Sequence, residues 1–542
     1  MARRIFGLSI PILCILSLLM GQSARANTPA ATQPPSVSGP AIGFAAVDPD
    51  YIYNQLDYMA THFLHRESGF DTNLPPAVNG HDELADYWTH EMLDNLQGFG
   101  PQSWHDPFWS GWAHRPAVVP SFNVEVTVPG AIHPEQEVVI GCHYDAMANS
   151  TQSANDDTSG CAIELGVAHA LGQYWQHMHL VPARTLRFVI FDGEEQDMIG
   201  SLHYVNTTVN GDLSNIVAMI NEEQNGVAYP GRFLGNLANP FMPYYLDLTP
   251  THSTLLYPGI DKLPVSQQAK IRQFRERMAQ AVPAVFHAFR ELGYVGLTYH
   301  DGSGHDLARP IFLPDQASNI RVEDDKSGAS DEVLFSRAGI PSATLGGDYT
   351  YYTNHPTPWA FPYDQPEDTM ELLNTYALGG GHKSNAMMLS LAFTAMLTTW
   401  ALQQPDILGT APVPSGPLAT ISDVAYPKVN MPLAFHATGA YDPHNPQAHF
   451  IFHWNFGDGN QASGADVMHT YTETGHYTLT LITTSSSGTS EVRKEVDIVE
   501  HPTQYPNQYR GFAPGINSPN PKVHIPVPDD TLRDHIVYES GS

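Results

Sequence analysis

Between residues 82 and 96 the apolar side chains Leu84, Trp88, Met92 and Leu96 recur every four positions, with Leu93 beside Met92. That period places them on one face and predicts an amphipathic helix. The pattern then changes. "FNVEVTV" (122–128), "EVVIGC" (137–142), "TLRFVIF" (185–191), "IVAMI" (216–220) and "PSATL" (341–345) are short apolar runs that read as strands. Helical stretches lie between several of them, at 161–175, at 266–293 with a break expected near Pro283, and at 385–402. Strands alternating with helices predict an α/β domain over residues 46–402, built on a largely parallel sheet.

Past residue 402 the helical period disappears. "QQPDILGTAPVPSGP" (403–417) has the composition of a linker. "PLAFHAT", "HFIFHWNF", "HYTLTLITTS" and "EVRKEVDIV" follow as β-type runs, and residues 418–500 predict a small β-sandwich. Residues 27–45 read as a flexible lead-in, and residues 501–542, rich in Pro and Asn, as a loosely packed tail. At the N-terminus Arg3 and Arg4 precede an apolar run from Ile5 to Met20, and then an Ala24-x-Ala26 pattern. This predicts a signal peptide over residues 1–26, cut after Ala26, and a secreted or periplasmic protein. The run is shorter than the roughly 20 residues of a spanning helix, and no later run is longer, so the mature chain is expected to have no membrane span.

Composition narrows the function classes. The chain has 542 residues and a formal net charge of −31. So acidic a balance argues against a nucleic-acid partner, whose phosphates need Lys and Arg. Of three cysteines, Cys14 would leave with the signal. Cys142 and Cys161 remain, either as a disulfide in an exported protein or as two buried thiols.

The chemistry gathers at strand ends. "EVVIGC" runs into His143 and Asp145, "TLRFVIF" into Glu194 and Glu195, and "IVAMI" into Asn221, Glu222 and Glu223. In α/β sheets functional groups collect at the carboxyl ends of strands. Carboxylates brought together there repel, and a pair of divalent cations would remove that cost. On this reading His143 is a metal ligand, Asp145 orients its imidazole from behind, and Asp156 bridges two metals. Asp157, Ser159 and Gly160 then turn the chain into the next helix.

At this point the chain resembles the secreted co-catalytic di-zinc aminopeptidase family, which includes glutaminyl-cyclase-like and glutamate-carboxypeptidase-like members. The matching pieces are "FNVEVTVPG", "VVIGCHYDA", "NDDTSG", "FVIFDGEEQDMIGS", "IVAMINEEQNG", "SGASDEVLFSRAGIPSATL" and "YDQPEDT", across residues 50–402. The resemblance implies a zinc-exopeptidase fold, α/β with a mixed, mostly parallel sheet sandwiched by helices. It implies His143 as first-metal histidine, Asp156 as bridging aspartate, Glu194 as general base and Glu195 as second-metal ligand. "WNFGDG" (454–459) and "HTYTETGHYTLTL" (469–481) resemble the PKD domain, an immunoglobulin-like β-sandwich with Trp454 in its core and a turn at Gly457–Gly459. Contact with a polymer or a surface is one role for such a module, and a spacer is the other.

Three departures from the family pattern stand out. Glu223 occupies the place of a ligating Asp, and Glu332 follows Ser330 and Asp331 where the family has His. Asp364 stands where the last histidine ligand belongs, with His355 nine residues earlier as the rival. Asp binds zinc at nearly the same distance as His, about 2.0–2.2 Å. The expected ligand set is therefore His143, Asp156, Glu195, Glu223 and Asp364. This oxygen-rich set suits two zinc ions, with manganese as the alternative.

The implied reaction is hydrolysis of the amino-terminal peptide bond by a water shared between two metals, with Glu194 as base and a peptide or protein as substrate. The competing readings are a binding protein on a decayed peptidase fold, and cyclase or carboxypeptidase chemistry on the same scaffold. His300 and His305 read as loop residues, and the stretch from Val227 to Asp325, with Tyr244 and Tyr245, as an insertion able to form a lid.

Overall fold

The computed structural model describes residues 46–68, 80–110, 119–196, 198–205, 215–226, 228–229, 242–292, 297–300, 306–309, 320–326, 328, 330–346, 365–376, 386–422, 424 and 427–500. The expected signal, lead-in and tail lie outside them, as do Asp364, His355 and His305.

Two helices lead in, α1 (Pro49–His62) and α2 (His81–Leu96). The strands β1 (Gln102–Ser110), β2 (Val119–Val128) and β3 (His133–His143) follow, then α3 (Thr158–Met178) and the strands β4 (Leu180–Pro182) and β5 (Arg184–Phe191). Next come α4 (Ile199–His203), β6 (Ile216–Glu223), the short pair β7 (Ala228–Tyr229) and β8 (Met242–Pro243), β9 (Tyr245–Leu248) and α5 (Val265–Glu291). The domain closes with β10 (Leu297–His300), β11 (Asp306–Arg309), β12 (Arg321–Asp324), α6 (Glu332–Arg337), β13 (Ser342–Gly346), α7 (Met370–Tyr376) and α8 (Ala386–Leu402).

Eight strands form one sheet in the order β1-β2-β5-β3-β6-β13-β9-β12. Its middle, β5-β3-β6-β13, is parallel, while β1, β2 and the β13–β9 pair are antiparallel. The sheet is covered on both faces, which is why its central strands are unbroken apolar runs. Along β3, Val138, Ile140 and Cys142 join the cluster with Leu84, Trp88, Leu165 and Phe393 from the helices. Val139, between them, joins Ile199, Leu202, Val333 and Phe335 on the opposite side. Helix α3 is buried along most of its length, being packed between the sheet and α1, α2 and α8.

Helix α5 runs straight through Pro283, where a break was expected. Val282, Val285 and Phe286 are buried around it, and that packing outweighs the hydrogen bond that proline cannot donate. Tyr244 is a core residue whose hydroxyl meets Thr394 Oγ1 at 2.9 Å. Among the described residues no helix is long and apolar enough to cross a membrane.

Beyond α8, β14 (Thr410–Pro412) pairs with β4. The sandwich follows as β15 (Leu418–Ile421), β16 (Leu433–Tyr441), β17 (Ile451–Asn455), β18 (Gln461–Ser463), β19 (Asp466–His469), β20 (Gly475–Thr484) and β21 (Thr489–Ile498). Sheets β15-β16-β19 and β18-β17-β20-β21 enclose Phe435, Trp454, Phe456, Tyr471, Leu479 and Leu481. The Trp454 indole donates to Gly464 O at 2.9 Å, which lets its polar edge be buried. Gly457 and Gly459 take positive φ, 81° and 95°, in the turn between β17 and β18.

Helix α3 approaches the sheet closely at Gly160, in its first turn. A Cβ there would collide with the Asp157 carboxylate and the Glu222 carbonyl oxygen. Gly160→Ala is expected to cost about 1–3 kcal/mol, as overpacking does. Gly98, with no neighbour within 4 Å of an added Cβ, is the control, and Gly98→Ala should change stability by less than about 0.5 kcal/mol. Urea unfolding midpoints of the two variants check this.

Candidate metal centre

Strands β5, β3 and β6 are neighbours and parallel, so their carboxyl ends open side by side. Each end carries an acid or an imidazole. β3 ends at His143, β6 ends at Glu223, and β5 is followed by a tight turn holding Glu194 and Glu195. Asp156 comes from the loop between β3 and α3, and its peptide bond to Asp157 is cis.

That loop is held from several sides. A disulfide between Cys142 and Cys161, with Cα atoms 5.5 Å apart, joins the end of β3 to the first turn of α3 and settles the state of the cysteine pair. The Asp157 carboxylate caps α3, accepting from Gly160 N at 3.0 Å, and also accepts from Gln224 N at 3.0 Å. Asp368 accepts from the backbone amides of Asn155 and Asp156 at 2.9 and 3.1 Å. The fully buried Arg66 donates to Tyr144 O, Phe63 O, Gln152 O and Thr158 Oγ1 at 2.7–2.9 Å. Burial lowers its guanidinium to about 10, against the pull of Asp368, Asp145, Asp157 and Asp156, so it stays charged at neutral pH.

Inside this frame, His143 Nε2 lies 3.0 Å from Asp156 Oδ1, 3.7 Å from Glu223 Oε1 and 3.9 Å from Glu194 Oε2. One ligand atom from each of His143, Asp156 and Glu223 falls within 4.8 Å of the others. Ligands about 2.1 Å from a tetrahedral zinc ion stand roughly 3.4 Å from one another, so this spacing suits a cation. On the far side of the ring, Asp145 Oδ1 is 3.4 Å from His143 Nδ1 and also accepts from Glu194 N at 3.1 Å.

The charge in the cluster asks for neutralisation. Burial raises Asp156 to about 6, and burial also pushes Glu194 well above the ordinary carboxylate range, with Glu223 and Asp331 adding to it. Burial would lower His143, but the charges of Glu223 and Glu194 and the contacts with Asp145 and Asp156 outweigh it and hold the imidazole well above its ordinary value. Asp156 Oδ2 is buried with no hydrogen-bond partner among the described residues. One imidazole and several carboxylates fit a divalent cation of the zinc or manganese kind.

Of the residues singled out from the sequence, the fold brings His143, Asp145, Asp156, Glu194 and Glu223 together. Glu195 sits in the turn beside Glu194, partly exposed and outside the three-ligand cluster. Asp364 and His355 lie outside the described residues. Glu223 has the longer arm, and a hydrogen-bond chain takes it up. Asn221 Nδ2 donates to Ser330 Oγ and Ser330 Oγ donates to Glu223 Oε2, both at 2.7 Å. Glu332, the first residue of α6, is buried, and burial pushes its carboxyl well up. Sequence reasoning missed Arg66. A lone arginine in "LHRESGF" carries no periodicity or spacing, and apart from Phe63 the partners named above lie 78–92 positions downstream. Asp368 lies in the matched "YDQPEDT", but nothing in that motif marks it as a partner of the 142–161 loop.

Comparison with known proteins gives the same two halves. Peptidase family M28 matches residues 123–299, and the PKD domain matches residues 415–499. Vacuolar protein sorting-associated protein 70 of Saccharomyces cerevisiae is 39% identical over 82 residues, 15% of this chain and 10% of its own length. A probable zinc metalloprotease of Pyrenophora teres f. teres is 31% identical over 110 residues, 19% of this chain and 22% of its own. The match thus spans about a tenth to a quarter of the length of these curated relatives. Among solved structures, the LapA aminopeptidase of Legionella pneumophila aligns over 67% of this chain and 73% of its own at 14% identity, with a TM-score of 0.40. Residues 123–299 are a domain of peptidase family M28, joined in one chain to a PKD domain at residues 415–499.

Proposed function

We propose that this chain is an exported, metal-dependent exopeptidase that removes amino-terminal residues from peptides. The observation that carries the reading is the convergence of His143, Asp156 and Glu223, with Glu194 3.9 Å from His143 Nε2, inside a peptidase-family domain. Two divalent cations, zinc with manganese as the alternative, would polarise the scissile carbonyl and make a water acidic near neutral pH. His143, Asp156 and Glu223, which lie within reach of one ion, would be ligands. Glu195 and Asp364 complete the set in this reading.

The chain's own residues supply the rest. Glu194 takes the proton from the attacking water and passes it to the leaving amine. Burial raises its carboxyl above the ordinary range, the direction that makes it a stronger proton acceptor. Asp145 holds the His143 ring and the Glu194 backbone in one frame, so base and ligand keep their spacing. The buried acids around the centre favour a substrate that presents a protonated α-amine, which selects the amino-terminal peptide bond. The amino-terminal run from Arg3 to Ala26 supports export.

Elemental mass spectrometry on protein purified without chelator or added metal should find roughly two zinc or manganese ions per chain, as a two-metal site requires. Dialysis against a chelator should abolish peptide hydrolysis, and zinc should restore it. A chain that takes up no metal even when zinc is offered contradicts the reading. Glu194→Gln should lower kcat on amino-terminal peptide substrates by about 10²–10⁴ while metal content stays near wild type, since the variant removes the base and not a ligand. Undiminished activity in that variant excludes Glu194 as the base. Asp364→Ala should release one of the two ions and His355→Ala neither. The reverse result moves the last ligand to His355.

A further inference from the structure

The far end of the catalytic sheet poses a second charge problem. Glu137 lies six residues before His143 on β3, about 20 Å from it at the usual strand rise. It is buried beside Arg187 of β5 and Glu125 of β2. Arg187 Nη1 donates to Glu137 Oε2 at 2.6 Å, and Arg187 Nε donates to Glu125 Oε1 at 2.8 Å. The Tyr204 hydroxyl donates to Glu125 Oε2 at 2.8 Å. Two carboxylates thus share one guanidinium within the peptidase domain.

The second cation of the group comes from the sandwich. Lys494, on β21 and only 3% exposed, donates from Nζ to Glu137 Oε1 at 3.3 Å and to Ile421 O at 3.4 Å. The group of four is then electrically neutral. More contacts surround it. Thr420 Oγ1 donates to Pro134 O at 3.3 Å. Tyr441 lies so close over Gly100 that a side chain at Gly100 would collide with it. Gly439 packs on Pro129, where an added Cβ would stand 3.2 Å from the ring. The segment between the domains is pinned too, through β14 on β4 and through Arg184 Nη1 donating to Pro405 O at 2.7 Å.

We infer that the surface formed by Gly100, Pro129, Pro134 and Glu137 is a docking site for the chain's own sandwich, and that Lys494 completes the charge balance of the catalytic sheet. The PKD domain is then a structural half of the peptidase and not a detachable module. Breaking a buried pair by removing one partner leaves an uncompensated charge, and the loss falls on both sides of the interface. A role confined to the sandwich would leave the catalytic strands untouched.

Hydrogen exchange on the full chain tests this, with Lys494→Met, Lys494→Arg, Glu137→Gln and the double variant Lys494→Met with Glu137→Gln. In Lys494→Met, amides of 119–128, 133–143 and 184–191 should exchange at least about tenfold faster, and Tm should fall by about 3–5 °C. Lys494→Arg should stay close to wild type. The double variant should recover most of the loss, because charge and counter-charge are removed together. Faster exchange in 418–500 alone overturns the inference, as does no change anywhere or a double variant as impaired as the sum of its parts. If Lys494→Met does not accumulate as folded protein, Lys494→Arg and the double variant decide. Wild-type-like exchange in both supports the inference, and a double variant with unprotected catalytic strands overturns it.

Discussion

Negative charge buried at the mouth of a parallel sheet is the constraint around which this structure is built. Strands β5, β3 and β6 are adjacent, so the acids after them have no room to spread. Carboxylates a few ångströms apart in a low-dielectric setting cannot all stay ionised unless something positive joins them. The raised positions of Asp156 and Glu194 and of the His143 imidazole express that tension. Either protons or a cation must relieve it, and the spacing of nitrogen and oxygen atoms suits the cation.

Such a site works only if its ligands stay in place while unlike charges come and go. The loop from Cys142 to Cys161 carries most of the burden and is restrained at each point where it could drift. The disulfide closes its two ends. Arg66 gathers the carbonyls of Tyr144 and Gln152 around one guanidinium, and Asp368 accepts from the backbone amides of Asn155 and Asp156. These partners do more than orient. Arg66 sets a fixed positive charge behind four aspartates, and this limits how strongly they repel one another before any ligand arrives. Second-layer groups of this kind govern metal affinity almost as much as the ligands do.

What could be read from the sequence follows from distance along the chain. His143, Asp145 and Asp156 sit in one short loop after an apolar strand, and Glu194 and Glu223 directly follow or end two others. Local pattern was therefore enough to place them at one edge. The sheet's middle was equally legible, because burial on both faces produces unbroken apolar runs. The Cys142–Cys161 link stayed open, since two buried thiols would leave the same sequence. Arg66 was invisible for the opposite reason, as its meaning lies in partners that only the fold brings near. Pro283 misled, because a local rule about helices gave way to packing on both sides of it. The four-residue strands β9 and β12, at one end of the sheet order, carried too little pattern to be seen.

The two ends of the catalytic sheet face the same electrostatic difficulty and resolve it in different ways. At one end Glu125 and Glu137 are neutralised by Arg187 and Lys494, cations fixed by covalent chain and closed off from water. Both carboxylates of that group already face a side-chain cation. At the other end no lysine or arginine side chain is hydrogen-bonded to Asp156, Glu194 or Glu223 among the described residues, and Arg66 stays one layer back. A side-chain cation placed among those acids would neutralise them permanently and fill the space where a substrate has to enter. An exchangeable divalent ion meets the same charge requirement and keeps a coordination position open. Glu125 and Glu137 are thus answered by fixed side-chain cations, while about 20 Å along β3 His143, Asp156 and Glu223 stand within reach of a single divalent ion.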